Sequence, residues 1–276
     1  MTIEEAIIYG KKYLHTSMVK MLISRVTGID TLDQLNNLNY KFNDKEEKEF
    51  KALIEAVKNN KPIQYVLGSV NFYGLELKVN ENVLIPRFET EELVENTIKL
   101  INNKFKDKKL DILDLCTGSG AIGLRLKKEY PNNNITLSDI SAKALMVASE
   151  NSDNLSLEVK IINSDLFDKI TDKYDVIISN PPYIKDDEEI EDIVKDNEPH
   201  IALYAGKDGL DFYDRILKDI KNYLKEEFII AFEIGETQLN DISKLAYKYL
   251  DNIEIYSKKD MSNRDRMLFI VNKKDA

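Results

Sequence analysis

The stretch Asn180-Pro181-Pro182-Tyr183 carries chemical groups that the end of an ordinary strand does not need. It follows the apolar run YDVIIS, residues 174–179, and proline has no N–H with which to continue a central strand. Asn180 offers a side-chain carbonyl, Pro181 a backbone carbonyl and Tyr183 a flat ring. Two acceptors and a ring suit a planar NH2 group, whose lone pair is delocalised into its neighbour. The stretch therefore predicts a site that orients such a nitrogen for attack, with simple strand termination as the alternative.

A glycine-rich turn follows the apolar run LDILDL, residues 110–115. Gly118 and Gly120 permit a tight turn and a close approach of the backbone to a ligand. A helix that begins near Ala121 would direct its N–H groups at that ligand. Together with Gly123 the spacing also matches G-x-G-x-x-G, which leaves a dinucleotide open, and an ordinary strand-to-helix turn explains the glycines equally well.

Two aspartates end further apolar runs. Asp139 ends NITLSD, where its carboxylate can accept hydrogen bonds from both hydroxyls of a ribose. Asp165 ends EVKIINSD and can hold an adenine amine, while Leu166 supplies a backbone N–H and an apolar contact. Each aspartate can instead cap the helix that follows it.

Ligands of open α/β sheets bind beyond the carboxyl ends of the strands, which is where these motifs fall. Their combination favours methyl transfer from S-adenosylmethionine. That donor carries its own activation, so the protein has to align nitrogen, methyl and sulfur and exclude water, and such positioning contributes about 7–11 kcal/mol. No nucleophilic side chain is required. A dehydrogenase has no use for the NPPY groups, and we therefore rank hydride transfer well behind.

Three segments with different periodicities must position these residues. Residues 1–60 read as a small helical bundle, with a capping box at Thr2 and Glu5 and an N-cap at Asn43. Residues 61–88 alternate apolar and polar side chains, which predicts a β-hairpin connector. Residues 89–276 alternate strands and helices, which predicts an α/β domain with a mostly parallel sheet covered on both faces. The last two strands have no helix between them, so we expect one of them to run antiparallel at the sheet edge.

The amino-acid composition limits the kinds of partner that the protein can bind. The chain has 276 residues, 43% of them hydrophobic, and a formal charge of −10, a field that disfavours general binding to nucleic-acid phosphates. The first residues lack the features of a signal peptide and no apolar run is long enough to span a bilayer, so we expect a cytoplasmic protein with no membrane contact. Cys116 is the single cysteine. With only His15 and His200 beside it, we expect neither a disulfide nor a metal site.

The residues quoted above resemble a known group. DLCTGSG, Asp139 and NPPY are similar to the class I S-adenosylmethionine-dependent methyltransferases that act on amines, which implies a doubly wound, Rossmann-like sheet of seven strands. More of the chain resembles one family among them, the peptide chain release factor glutamine methyltransferases. The resemblance covers nearly the whole chain and includes VLIPRFETE as its most discriminating element. Further matching stretches are GSVNFYGLELKVNENVLIPRFETEELV (68–94), EPHIALYAGKDGLDFY (198–213), FEIGETQ (232–238) and KDMSNRDRM (259–267).

The resemblance implies methylation of the side-chain amide nitrogen of the glutamine in the Gly-Gly-Gln loop of a bacterial-type release factor. It assigns Asn180 to Tyr183 to the substrate amide, with Asn180 touching the donor as well. The residues implied for S-adenosylmethionine are Cys116, Thr117, Gly118, Ser119, Gly120, Asp139, Asp165, Leu166 and Asn180. Amine methylation of a nucleic-acid base and a non-catalytic donor-binding module are the alternatives.

Two positions depart from the family pattern. Cys116 stands at the first glycine of the general methyltransferase turn, and Phe88 replaces a proline common in IPRPETE. We expect Arg87 and Glu89 to pair and hold the loop under the donor, although a purely structural ion pair explains them as well. The separate helical bundle is expected to dock the rest of the release factor, and we favour a monomer.

Overall fold

The computed structural model describes residues 1–106 and 108–273. These residues form two compact units. The first unit consists of Met1–Ser69 together with Glu191–Asn197, and the second consists of Val70–Ile190 together with the chain from Glu198 onward. Within the described residues, no helix combines the length and the apolar character that crossing a membrane requires.

Short helices build the first unit around a core that includes Leu22, Phe50 and Ile54. Both expected N-caps are present, because Thr2 and Glu5 form a capping box and Asn43 forms another with Glu46. The helices are α1 (Ile3–Gly10), α2 (Thr16–Thr27), a 3₁₀ helix (Asp33–Asn37), α3 (Asp44–Lys58), α4 (Ile63–Leu67) and α8 (Asp192–Asn197).

The prediction of hairpin structure from residue 61 is wrong. Ile63–Leu67 is the helix α4, with Pro62 at its N-cap and Gly68 in the left-handed conformation that ends it. Five residues are too few to distinguish a helical period from an alternating one, which explains the error. The hairpin begins only at Ser69 and consists of β1 (Ser69–Phe72) and β2 (Leu75–Lys78).

A seven-stranded sheet organises the described part of the second unit, in the order β5-β4-β3-β6-β7-β9-β8. The chain winds outward from β3 through β4 to β5, and then returns to place β6 on the other side of β3. The predicted doubly wound fold is thus confirmed. The strands are β3 (Asp111–Leu115), β4 (Asn134–Asp139), β5 (Lys160–Asn163), β6 (Tyr174–Ser179), β7 (Leu224–Glu233), β8 (Ile253–Lys259) and β9 (Asp265–Asn272).

We expected the antiparallel strand to lie at the edge of the sheet, and this prediction is wrong. β9 runs antiparallel to both β7 and β8 and lies between them, so that β8 forms the edge. Helix α10 (Leu239–Tyr249) separates β7 from β8 and returns the chain to its starting end, which makes β8 parallel to β7. The hairpin from β8 to β9 then fills the gap that this crossover leaves.

Helices cover both faces of the sheet. Ile112 in β3 packs with α5 (Phe88–Phe105) and α6 (Ala121–Glu129) on one face, whereas the adjacent Leu113 packs with α9 (Asp211–Asp219) and α10 on the other. All six residues of β6 are buried, as expected for a central parallel strand. The helix α7 (Ala142–Leu155) connects β4 to β5.

Candidate active site

A cavity opens at the carboxyl ends of β3 and β6, where the winding of the sheet reverses. Leu115 of β3 pairs with Ser179 of β6, so the glycine turn and Asn180 leave neighbouring strands side by side. The cavity volume, counted as the space open to the centre of a water molecule, is about 140 Å³. Its lining includes residues of the glycine turn, of the two aspartate motifs and of the NPPY stretch, namely Cys116, Thr117, Gly118, Ser119, Asp139, Asp165, Leu166, Asn180 and Pro182. Gly120, the last residue of the predicted turn, is not among the lining residues.

The turn between β3 and α6 places a cysteine where glycine is the usual choice. Cys116 has a φ of +62°, and Gly118 and Gly120 have φ of +55° and +84°. The left-handed conformation costs a non-glycine residue roughly 1–2 kcal/mol, which explains why methyltransferase turns commonly have glycine at the position of Cys116. Burial raises the pKa of the Cys116 thiol, so the side chain stays protonated and is unsuited to act as a nucleophile.

A buried carboxylate that we did not single out from the sequence holds this turn. Asp114 is fully buried in β3, and its Oδ2 accepts hydrogen bonds from the Thr117 hydroxyl and from the Gly123 N–H, the latter at 2.9 Å. Gly123 lies so close to β4 that a Cβ atom there would approach Leu137 to 2.1 Å. Burial raises the pKa of Asp114 to about 7. The signal in the sequence that could have identified Asp114 was an acidic residue between the apolar residues Leu113 and Leu115 of a predicted strand.

Asp139 faces the cavity from the end of β4. Its Oδ2 accepts a hydrogen bond of 2.9 Å from the Gly118 N–H, and its Oδ1 accepts one of 2.9 Å from the Ser141 N–H. The N-cap of α7 is Ser141, whose hydroxyl accepts from the Ala144 N–H at 3.2 Å. The capping alternative therefore belongs to Ser141, which leaves the remaining lone pairs of Asp139 for a ligand. Burial raises the pKa of this carboxyl.

Asp165 and Leu166 line another part of the cavity. Leu166 has a φ of +45° and is buried. The guanidinium Nη2 of Arg215, from α9, donates to Asp165 Oδ1 at 2.8 Å. Arg215 also lines the cavity. It lies 50 residues from its partner, so no local pattern in the sequence pointed to it.

The NPPY stretch divides between the cavity and the protein interior. Asn180 and Pro182 line the cavity, whereas Pro181 and Tyr183 are not among its lining residues. The Tyr183 hydroxyl donates to Glu233 Oε1 at 3.3 Å. The side-chain amide of Asn180 donates through Nδ2 to Thr90 Oγ1 at 3.2 Å, and the Thr90 hydroxyl donates to Glu233 Oε2 at 2.6 Å. Thr90 and Glu233 are thus site residues that the sequence did not reveal.

Gln238 fixes the backbone beside Tyr183. Its Nε2 donates to the Tyr183 carbonyl at 2.9 Å and to the Gly209 carbonyl at 3.1 Å, while its Oε1 accepts from the Gly235 N–H at 2.9 Å. The side chain is buried, and all three partners are backbone groups of loops around the site. This accounts for the final residue of the stretch FEIGETQ.

Arg87 pairs with Glu198, and the expected pairing with Glu89 is wrong. Glu198 is 4% exposed and accepts both from the Arg87 guanidinium and from the Ile85 N–H, the latter at 3.0 Å. Pro86 and Pro199, the immediate neighbours of this pair, both line the cavity. The ion pair therefore joins two walls of the site, a role that depends on groups 111 residues apart.

The sheet and the cavity at its switch point define this protein as a methyltransferase of the Rossmann-like class. Residues 88–198 match the family model of the methyltransferase small domain, and residues 9–68 match that of the PrmC N-terminal domain. A crystal structure of a methyltransferase from Pyrococcus furiosus shares the fold, with a TM-score of 0.53 at 16% identity over 73% of this chain and 91% of that chain.

Curated relatives place the chain more narrowly. It is 40% identical to the release factor glutamine methyltransferase of Streptococcus pneumoniae, over 97% of this chain and 94% of that protein. It is 37% identical to the release factor glutamine methyltransferase of Bacillus subtilis, over 97% of this chain and 96% of that protein. The chain belongs to the release factor glutamine methyltransferase family.

Proposed function

We propose that the protein transfers a methyl group from S-adenosylmethionine to the side-chain amide nitrogen of the glutamine in the Gly-Gly-Gln loop of a peptide chain release factor. Its relatives carry the name of that activity. The observation that supports it best is the orientation of Asn180, whose NH2 group is engaged by Thr90. The carbonyl Oδ1 on the other branch of the amide is then the atom that is free to accept from a substrate nitrogen.

The cavity fits S-adenosylmethionine. A Cβ atom added at Gly118 would meet no protein atom within 4 Å, which leaves room for a ligand against the backbone. We assign Asp139 to the ribose hydroxyls, Asp165 and Leu166 to the adenine, and the turn 116–120 to the rest of the donor molecule. Two carboxylates also suit the positive charges of this donor. When bound, the donor supplies an activated methyl group on a sulfonium sulfur.

The chain's own residues would hold the glutamine nitrogen in line with that methyl group. The carbonyl of Asn180, which lines the cavity, accepts one N–H of the substrate amide. Pro181 and Tyr183 do not line the cavity but flank Pro182, which does. We assign the other N–H to the backbone carbonyl of Pro181 and the amide plane to the Tyr183 ring. Two such acceptors favour the pyramidal nitrogen that forms during attack, because they support its growing positive charge. The nitrogen–methyl bond replaces the methyl–sulfur bond of the donor, and one of the two nitrogen protons then passes to solvent water. Pro182 stiffens the backbone that carries these groups.

The test is methylation of a purified bacterial-type release factor with methyl-labelled donor, followed by peptide mapping in a mass spectrometer. We expect one methyl group on the glutamine of the Gly-Gly-Gln loop, and none on a factor in which that glutamine is replaced by asparagine. Nucleic acid is incubated in parallel. Label in DNA or RNA, with binding that weakens steeply as salt rises, would instead identify a base-directed amine methyltransferase.

We further propose that the helical unit recognises the body of the release factor. The unit exposes Leu32 and Leu35, which are 83% and 64% exposed. Isolated exposed apolar side chains are common, so the proposal requires a direct test. Replacing both by serine should raise KM for the intact factor and leave KM for a short Gly-Gly-Gln peptide unchanged. Met146→Ser, at an equally exposed site on α7, is the matched control, and equal effects of both changes would contradict docking at this unit.

A further inference from the structure

We propose that Thr90 and Glu233 are positioning residues that fix the orientation of the Asn180 side-chain amide and thereby turn its carbonyl towards the substrate nitrogen. The identity of that nitrogen rests on the proposed function. The orientation itself rests only on a chain of hydrogen bonds between three elements of the second unit. Asn180 follows β6, Thr90 lies in the first turn of α5, and Glu233 ends β7.

Glu233 is a buried carboxylate that is hydrogen-bonded directly to Tyr183 and, through Thr90, to Asn180. Only 1% of the residue is exposed. Its Oε2 accepts from the Thr90 hydroxyl at 2.6 Å and its Oε1 accepts from the Tyr183 hydroxyl at 3.3 Å, while its backbone carbonyl accepts from the Tyr213 hydroxyl at 2.6 Å. Burying a charged group costs free energy unless fixed hydrogen-bond partners replace its water. A carboxylate at this position is therefore better explained by a role in the site than by packing.

The charge of Glu233 sets the direction of every hydrogen bond in the chain. An ionised carboxylate only accepts, so the single proton of the Thr90 hydroxyl is committed to it. Thr90 Oγ1 is then left as an acceptor and requires a donor from Asn180. The two branches of an asparagine amide are nearly equal in size, so packing alone does not choose between them. The choice of the NH2 branch for Thr90, and of the carbonyl for the cavity, follows from a charge two hydrogen bonds away.

Protonation of Glu233 would remove this selection. A neutral carboxyl can donate to Thr90, whose hydroxyl can then donate to the Asn180 carbonyl and draw it away from the cavity. Burial raises the pKa of Glu233 to about 6, so the change falls within an accessible range. Arg266 favours the ionised form, but its Nη1 donates to the Ile234 carbonyl at 3.1 Å instead of to the Glu233 carboxylate. The titratable and charged groups that act on Glu233 from the surrounding elements are Glu89, Tyr183, Tyr213 and Arg266.

The kinetic test compares two isosteric changes in one helix. Thr90→Val removes the hydroxyl between Asn180 and Glu233. Thr97→Val is the matched control, because Thr97 is equally buried in α5 and donates only to the Leu93 carbonyl of the same helix. We expect Thr90→Val to lower kcat at least about tenfold with an unchanged KM for the donor, Thr90→Ser to restore kcat, and Thr97→Val to stay within about twofold of the wild type.

A spectroscopic test does not depend on activity. In protein labelled with ¹⁵N-asparagine, the side-chain NH2 signals of Asn180 are identified by their loss in Asn180→Ala. We expect them to shift between pH 5 and 8 with a midpoint near 6, following Glu233, and to lose this dependence in both Thr90→Val and Glu233→Gln. Thermal unfolding of each variant confirms that it is folded.

The outcomes separate the positioning role from the proposed function. If the wild type fails to methylate a release factor while the Asn180 signals follow the titration of Glu233 as expected, the substrate assignment is refuted and the positioning role is supported. If the wild type methylates the factor but Thr90→Val behaves like Thr97→Val, the positioning role is refuted. Asn180 signals that are the same in Glu233→Gln and in the wild type at every pH would refute it as well.

Discussion

Replacing Asp139 with alanine should weaken the binding of S-adenosylmethionine without unfolding the protein. The carboxylate offers about four lone-pair sites. The N–H groups of Gly118 and Ser141 occupy two of them, and the Ile140 N–H also interacts with the carboxylate. The remaining acceptor capacity is available to the hydroxyls of a ribose. Because Asp139 lies at the end of β4 and lines the cavity, its removal opens space towards the ligand and not within the sheet core.

The size of the effect follows from the hydrogen bonds that are lost. A hydrogen bond to a charged group contributes roughly 1.5–3 kcal/mol, and each 1.4 kcal/mol changes a dissociation constant about tenfold. For each ribose hydroxyl that loses this acceptor, we therefore expect Kd for the donor to rise roughly 10- to 150-fold. The loss of the Gly118 contact adds to this, since it removes one of the hydrogen bonds between the turn and β4 and leaves the one from the Thr117 N–H to the Ser138 carbonyl.

Titration calorimetry with S-adenosylmethionine and with S-adenosylhomocysteine measures the effect directly. Both ligands should weaken equally, because they share the ribose. Ser141→Ala is the control, as it removes the cap of α7 and leaves the carboxylate in place. A folded Asp139→Ala protein with wild-type affinity would refute the ribose assignment. Equal weakening by Ser141→Ala would attribute the effect to the helix and not to the carboxylate.

Three further predictions concern the frame of the site. Cys116→Gly should retain wild-type donor affinity and methylation, whereas Cys116→Val should lose donor affinity in calorimetry, because a β-branched residue is strained at a φ of +62°. Arg87→Ala should destabilise the protein by roughly 1–3 kcal/mol in urea unfolding, since it leaves the buried Glu198 carboxylate short of a donor. If Arg87→Ala lowers the free energy of unfolding by the same amount in a Glu198→Gln background, the pairing is contradicted. The raised pKa of Asp114 means that the folded state binds a proton more tightly than the unfolded state, so its contribution to stability is lost as pH rises from about 4 to about 7. This loss amounts to at most roughly 4 kcal/mol, and Asp114→Asn should remove that part of the pH dependence in unfolding measured from pH 5 to 8; an unchanged slope would contradict it.

Local signals in the sequence were sufficient to predict much of the framework. The capping box at Thr2 and the N-cap at Asn43 marked helix starts that the structure confirms. The alternation of strands and helices predicted the doubly wound sheet, because each parallel connection needs a crossover. The strand ends at Leu115 and Ser179 then brought the glycine turn and Asn180 together. All of these inferences depend on neighbours in sequence or on a rule of winding.

The remaining features depend on contacts between distant residues. Thr90 and Glu233 lie 143 residues apart, and no sequence pattern near either residue predicts a hydrogen bond between them. Glu198 was quoted only as part of a matching stretch, and its buried pairing with Arg87 replaced the expected local pair. The expected position of the antiparallel strand at the edge was wrong, because two strands without a helix between them can be placed in either order. Sequence patterns thus identified many of the residues that line the cavity and missed the groups that hold them.

The most direct test of the central claim is the single-turnover rate of methyl transfer by Asn180→Ala with the enzyme saturated with donor. We expect a folded protein whose rate of methyl transfer to the release-factor glutamine falls by roughly 100-fold or more, because a preorganised acceptor at the reacting nitrogen is missing. Donor affinity should change far less than the rate. Methyl transfer by Asn180→Ala at the wild-type rate would contradict the claim that the Asn180 carbonyl positions the nitrogen.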